Sequence, residues 1–234
     1  MLDFPLATYH LGFVLLDALN HALVEKKIAN ANPEWKLVKR FKDIHKARVV
    51  FLTDDEARRL VDACEDFRAL VTAALLTGIR YGDLTRLTIE AFLPGTATLR
   101  FQSRKAHKTV LLALGDEAIA FLHQQCAGKC KDQPILPRAD GHQWGQSEQQ
   151  KRMADARKAA GLPPTVSFHG LRHTYASRLV SKGVPFAVVA AQLGHASIKE
   201  VEHHYAHFQP RFVADTIKGA SPAIGLLGDR APKS

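Results

Sequence analysis

Apolar residues recur at helical spacing near the start of the chain, with Leu11, Val14, Leu15, Ala18, Leu19, Ala22 and Leu23 on one stripe. This predicts one long amphipathic helix over Leu6–Ile28, ended by Asn30, Asn32 and Pro33. A lone helix cannot bury its own stripe. Leu11, Val14, Leu15 and Leu19 are therefore expected against another surface, either the rest of the chain or a second subunit. A second region opens at Thr53, which with Glu56 forms a capping box ahead of a helix to about Cys64. Another helix covers Phe67–Leu76 and ends near Gly78. Leu84, Leu87 and Ile89 then lead into a turn at Pro94-Gly95. Thr96–Gln102 and Thr109–Leu114 are rich in Thr, Val, Leu and Phe, and read as antiparallel strands with Ser103–Lys108 as their exposed turn. Helices follow at Asp116–Gln125, Ser147–Ala160, Leu171–Ser181 and Phe186–Leu193. One more runs from Ser197 to Tyr205, and a short one covers Arg211–Ile217. The tail from Gly219 has no period and is expected to be mobile unless a partner captures Ile224, Leu226 and Leu227. The predicted fold is mainly α with a small antiparallel β-sheet. It divides into a front segment (1–50), a main domain (51–218) and a tail (219–234).

Charge adds a partner to this picture. The 32 basic residues against 23 acidic ones leave a formal charge of +9, which suits a polyanion but does not separate nucleic acid from an anionic membrane surface. The excess is concentrated in one place, where Lys36, Lys39, Arg40, Lys42, Lys46 and Arg48 face a single Asp43. That run reads equally as a solvated tether or as a set of DNA-backbone contacts. No apolar run is long enough for a bilayer span, and no basic n-region precedes an apolar stretch as in a signal peptide. Cys64, Cys126 and Cys130 form an odd set, so a reducing interior is expected rather than a disulfide framework. The spacing of Cys126 and Cys130 could put both on one helix face, but no second pair completes a zinc site.

Candidate chemistry gathers at predicted helix ends. His169-Gly170-Leu171-Arg172-His173 opens a helix behind Ser167, where free backbone donors and the helix dipole favour an anion. Gly78-Ile79-Arg80 puts a guanidinium just past a helix end, with Asp83 one turn on to brace Arg80 or a nearby donor. Leu193-Gly194-His195 supplies a histidine at a third helix terminus. Two arginines, the histidines and Lys105 on the strand turn make sense together if the substrate is a phosphodiester. Each also has a plainer reading: a local salt bridge at Asp83, a solvated turn at Arg104, Lys105 and Lys108, a packed aromatic at Tyr205. By residue chemistry alone this is a basic helical protein that binds phosphate.

The order of these motifs resembles the tyrosine recombinase (phage integrase) family. Leu76-Thr77-Gly78-Ile79-Arg80 with Asp83 and Leu84-Thr85-Arg86-Leu87 is similar to the family's first arginine box. His169-Gly170-Leu171-Arg172-His173-Thr174-Tyr175-Ala176-Ser177 is similar to the second, Leu193-Gly194-His195 to the third, and His204-Tyr205-Ala206-His207 to the nucleophile segment. Lys105 matches the catalytic lysine on a β-turn. The likeness covers Phe51–Pro210, the catalytic domain. Thr8–Ala22 with Asn32-Pro33 looks like the last helix of a core-binding domain, of which the front segment is expected to be a remnant.

The resemblance implies a site-specific DNA recombinase acting through a 3′-phosphotyrosyl intermediate, for integration or excision of a mobile element. It makes Tyr205 the nucleophile and puts Arg80, Arg172 and His195 on the phosphate. Lys105 becomes the general acid and His169 an aid to proton transfer, with Asp83 (where the family usually has glutamate) and His173 in support. The linker cations with Arg104 and Lys108 become DNA contacts. It implies no cofactor and no metal, since guanidinium, lysine and histidine supply the charge and the acid, and the stored phosphotyrosine bond needs no ATP. A zinc reading of His203, His204 and His207 has less support, because the three pack around a tyrosine on a short helix. Double-stranded DNA, a tetramer of the chain on DNA and accessory DNA-bending proteins are the implied partners, in the cytoplasm at the nucleoid. A catalytically silent DNA-binding protein of the same fold stays open as an alternative. An RNA-binding module has less support, because aromatic residues are sparse and form no paired stripe.

Overall fold

The computed structural model describes residues 15, 17–25, 27, 51–104, 108–195 and 197–208. The chain separates into two units, Met1–Arg48 and Val49–Ser234. In the first, residues 17–24 are helical, as the apolar stripe predicts. Leu15 is exposed and Leu19 half-buried, while Leu11 and Val14 lie outside the described residues. So do the basic run Lys36–Arg48, the short helix expected at Arg211–Ile217 and the tail from Gly219.

The second unit starts with α1 (Asp54–Ala63). Thr53 Oγ1 accepts from the Glu56 amide at 3.3 Å and the Glu56 carboxylate accepts from the Thr53 amide at 2.8 Å, the expected capping box. Helix α2 (Arg68–Thr77) ends at Gly78, whose φ of 66° closes the helix in the left-handed region. A one-turn helix, α3 (Tyr81–Leu84), follows at once; the sequence reading had no element there. Among the described residues the sheet has three strands rather than two. Strands β2 (Thr98–Ser103) and β3 (Lys108–Ala113) form the expected hairpin, with Leu99 opposite Leu112, and β1 (Phe92–Leu93) adds to β2 in antiparallel register. Helices α4 (Asp116–Cys126), α5 (Gln149–Ala159), α6 (Phe168–Ser181), α7 (Phe186–Leu193) and α8 (Ile198–Tyr205) complete the described part. Helix α4 stops at Cys126, and Cys130 lies beyond it, exposed, so those two thiols do not share a helix face. No described helix is long and apolar enough to cross a membrane.

Two packed clusters hold these elements. In the larger, Phe67, Tyr81, Trp144 and Phe168 meet with ring centroids 5.1–6.4 Å apart, tying α2, α3 and the start of α6 together. In the smaller, Val180, Val189, Leu193, Val201 and Tyr205 join α6, α7 and α8. The sheet is fastened to α7 by the Gln192 amide, which donates to Ala113 O at 2.6 Å and accepts from Ala113 N at 3.2 Å. One side chain thus satisfies both backbone groups of a residue on strand β3.

Candidate active site

Two helix ends converge on one guanidinium. Arg172 Nη1 donates to Gly78 O at 2.9 Å and Nη2 to Leu193 O at 2.7 Å. These carbonyls belong to the C-terminal ends of α2 and α7, where helix oxygens have no intrahelical partner and the dipole is negative. Left-handed glycines, Gly78 and Gly194, close both helices. The next residues are therefore released from helix close to Arg172: Ile79-Arg80 after the first glycine, His195 after the second. Arg172 is buried, and burial together with the neighbouring charge of Arg80 pulls its pKa down to about 10, so it stays cationic at neutral pH. The two arginines line one small cavity with Asp83, Ser103 and Leu193. Among the described residues the Arg80 side chain makes no hydrogen bond or ion pair, which leaves its donors for an incoming anion.

Asp83 does not brace Arg80. Its carboxylate accepts instead from Arg86 Nη2 at 3.0 Å, Ser103 Oγ at 3.3 Å and the Arg104 amide at 3.3 Å. It ties α3 to the end of β2. Lys105 itself is outside the described residues, while Arg104 and Lys108, both exposed, flank it. Arg80, Arg86 and Arg104 also line an open groove with Gln143 and Gln146. A separate hollow between α1, α2 and the end of α6, lined by Ala57, Val61, Leu76 and Lys182, holds none of the candidate residues.

Ser167 caps α6, its hydroxyl accepting from the Gly170 amide at 3.2 Å. The helix begins at Phe168, directly behind Ser167 as the His169–His173 motif suggests and ahead of the Leu171 start read from the apolar pattern, so His169 and His173 stand one turn apart on the same face. Their rings meet edge-on, 4.8 Å between centroids. His173 Nδ1 lies 2.5 Å from the hydroxyl of Tyr205, the last residue of α8. Sequence reading gave His173 only a supporting place; its spacing from His169 was the signal that it shares the site. Burial, reinforced by His169, His204, Arg172 and His195, lowers its pKa to about 4. Tyr205 is 2% exposed. Burial, with a smaller contribution from Glu200, pushes its phenol above the usual value near 10, and Arg172 pulls the other way. His195 Nδ1 sits 3.1 Å from Glu200 Oε2 on α8.

Two cations lining one cavity, with a phenol and imidazoles near Arg172, can hold a phosphate, offset charge that grows on it and move protons. Known proteins point the same way. The model of the phage integrase family matches residues 50–211. The integrase of Salmonella phage P22 is 27% identical over 229 residues, covering 91% of this chain and 59% of that protein. Tyrosine recombinase XerC of Agrobacterium fabrum is 30% identical over 202 residues, covering 80% of this chain and 63% of its own length. The chain thus spans about three fifths of these two curated relatives. The catalytic domain of bacteriophage HP1 integrase superposes with a TM-score of 0.55 at 24% identity, over 76% of this chain and 97% of that domain, a likeness of fold.

Proposed function

The chain belongs to the phage integrase family, and from that premise we propose that it breaks and rejoins double-stranded DNA at specific sites, with Tyr205 forming a 3′-phosphotyrosyl link. The observation that carries this is the bridge from Arg172 to Gly78 O and Leu193 O, which gathers the segments bearing Arg80 and His195 around the helix end that carries Tyr205. Arg80 and Arg172 bind the non-bridging oxygens and offset the charge of the five-coordinate transition state. His195 donates to the phosphate. Lys105 protonates the leaving 5′-oxygen, and His169 assists proton transfer. Arg104, Lys108 and the linker cations Lys36, Lys39, Arg40, Lys42, Lys46 and Arg48 contact the DNA backbone. The reaction integrates or excises a mobile element, in a tetramer on two duplexes with accessory DNA-bending proteins, in the cytoplasm.

A denaturing gel tests the core of this reading. Nicked duplexes recovered from a randomised pool by retention on the wild-type chain should give a slowly migrating protein–DNA band. Tyr205→Phe, which removes only the hydroxyl, should retain DNA and lose the band. A band from the phenylalanine variant would mean another nucleophile. Binding without any band from wild type would favour a catalytically silent DNA-binding protein.

A further inference from the structure

A phenol at neutral pH keeps its proton, and one this deeply buried keeps it more firmly. Attack on phosphorus therefore needs an acceptor within hydrogen-bond reach of the Tyr205 oxygen. That acceptor stands in the structure already. His173 Nδ1 is 2.5 Å from the hydroxyl, and its ring also meets that of His169. We propose that His173 is a further catalytic residue, the base that takes the phenolic proton of Tyr205 and passes it toward His169. This rests on the DNA-cleavage reading above.

The step balances. The Tyr205 O–H bond breaks, its electron pair becomes the new bond from oxygen to phosphorus, and the proton moves to His173 Nδ1. The bond from phosphorus to the 5′-oxygen breaks, and that oxygen takes its proton from Lys105. In rejoining, the 5′-hydroxyl attacks and the proton returns to Tyr205. Placement of the two histidines suits the parts. His169 is exposed on the first turn of α6, and His173 is half-buried one turn further in. Among the described residues, the groups facing His173 are His169 and Arg172 on its own helix, His204 and Tyr205 on α8, and His195 after α7. All except the phenol are neutral or cationic, so a charged His173 is disfavoured. It is an empty acceptor at neutral pH, and once protonated it gives the proton up readily rather than storing it.

His173→Asn separates this role from positioning. The asparagine carbonyl can accept the same hydrogen bond but cannot hold a proton at neutral pH. With the nicked duplexes above under single-turnover conditions, His173→Asn and His173→Ala should both form covalent complex about 100-fold more slowly than wild type. Circular dichroism would confirm that the variants are folded. Placing 3,5-difluorotyrosine at position 205, whose phenol ionises more easily, should then restore at least about tenfold in the His173→Asn background. A wild-type rate in His173→Asn would overturn the proposal, since a hydrogen-bond acceptor would then be enough. So would a slow variant that the fluorinated phenol does not help, because a merely structural loss is blind to phenol acidity. In the DNA-free protein, 15N NMR should find His173 protonated on Nε2 with Nδ1 bare; a proton on Nδ1 would overturn it as well. If wild type binds DNA but yields no covalent complex, the cleavage reading falls and this proposal with it. In every other failure that reading stands.

Discussion

Replacing Gly78 with alanine probes the junction on which the site is built. Gly78 has a φ of 66°, so any L side chain there carries the left-handed penalty of about 1–2 kcal/mol. The added methyl would also lie 2.4 Å from Cδ1 and 3.1 Å from Cε1 of the Tyr175 ring, and 3.0 Å from Leu193 Cδ2. That ring cannot simply swing away, because its hydroxyl accepts from Gln192 Nε2 at 2.9 Å and Gln192 is itself bonded to strand β3. Overpacking of this kind adds about 1–3 kcal/mol. The Gly78 carbonyl would be pushed off Arg172, weakening a charged hydrogen bond on the order of 1.5–3 kcal/mol when fully lost. Partial relaxation keeps these from adding in full, and the expected loss is about 3 kcal/mol. With a urea slope of about 1–3 kcal/mol per molar, the unfolding midpoint should fall by roughly 1–3 M. Gly128 provides the control. It also has a positive φ, 72°, but a methyl there would meet nothing within 4 Å. Gly128→Ala should therefore show the backbone penalty alone. Should Gly78→Ala lose no more stability than Gly128→Ala, the crowding against Tyr175 is not what requires glycine, and the account of this junction is wrong.

Thr53→Ala removes one half of a capping box and should cost about 1 kcal/mol in the same urea assay, with no change in slope. Lys105→Ala should slow cleavage far more than it weakens binding, and a 5′-bridging phosphorothiolate, whose leaving sulfur needs no proton, should rescue it; equal loss of rate and affinity would make Lys105 part of the basic surface. His173, with a folded pKa near 4 against about 6.5 when unfolded, contributes its full share of stability above pH 6.5, and that share is lost as pH falls toward 4 because the unfolded chain takes up a proton the fold resists. His173→Asn should therefore flatten stability between pH 6.5 and 4, by on the order of 1 kcal/mol after allowance for solvent screening, in urea midpoints compared at pH 7.5 and 4.5.

Regular elements were legible where a period or a cap marks them. Thr53 with Glu56 opens α1 as read, and Phe186–Leu193 forms α7 with the bounds that the apolar run suggests. The elements that escaped are short. Strand β1 is two residues long, which leaves no alternation to detect, and it exists through its pairing with Thr98 and Leu99 across a 3-10 turn at Pro94–Thr96. Helix α3 is a single turn held by Tyr81 and Leu84 in the core, so tertiary packing rather than propensity forms it. The same divide runs through the site. Spacing and resemblance picked out Arg80, Arg172, His195 and Tyr205, but not what each one touches. That Asp83 serves Ser103 and the Arg104 amide rather than Arg80 depends on where β2 ends relative to α3, a long-range fact with no local signature.

The double role proposed for Arg172 follows from donor counting. A guanidinium carries five N–H donors in a rigid fork, and two of them here meet Gly78 O and Leu193 O. In the proposed reaction the other three satisfy a phosphate from the same plane. A lysine could not do this, because three donors on a point charge cannot bridge two carbonyls and still present a fork to an anion. On that proposal packing and phosphate binding are coupled through one side chain. Whatever loosens the ends of α2 or α7 would then also loosen the phosphate site, and an anion bound by Arg172 would tighten both helix ends. The same coupling accounts for the position of Tyr205. It is buried in the cluster that includes Leu193, so the proposed nucleophile and the carbonyl that steers Arg172 rest on one patch of core. A stable placement of the guanidinium and a stable placement of the phenol are then a single packing problem, solved by α7 and α8 together.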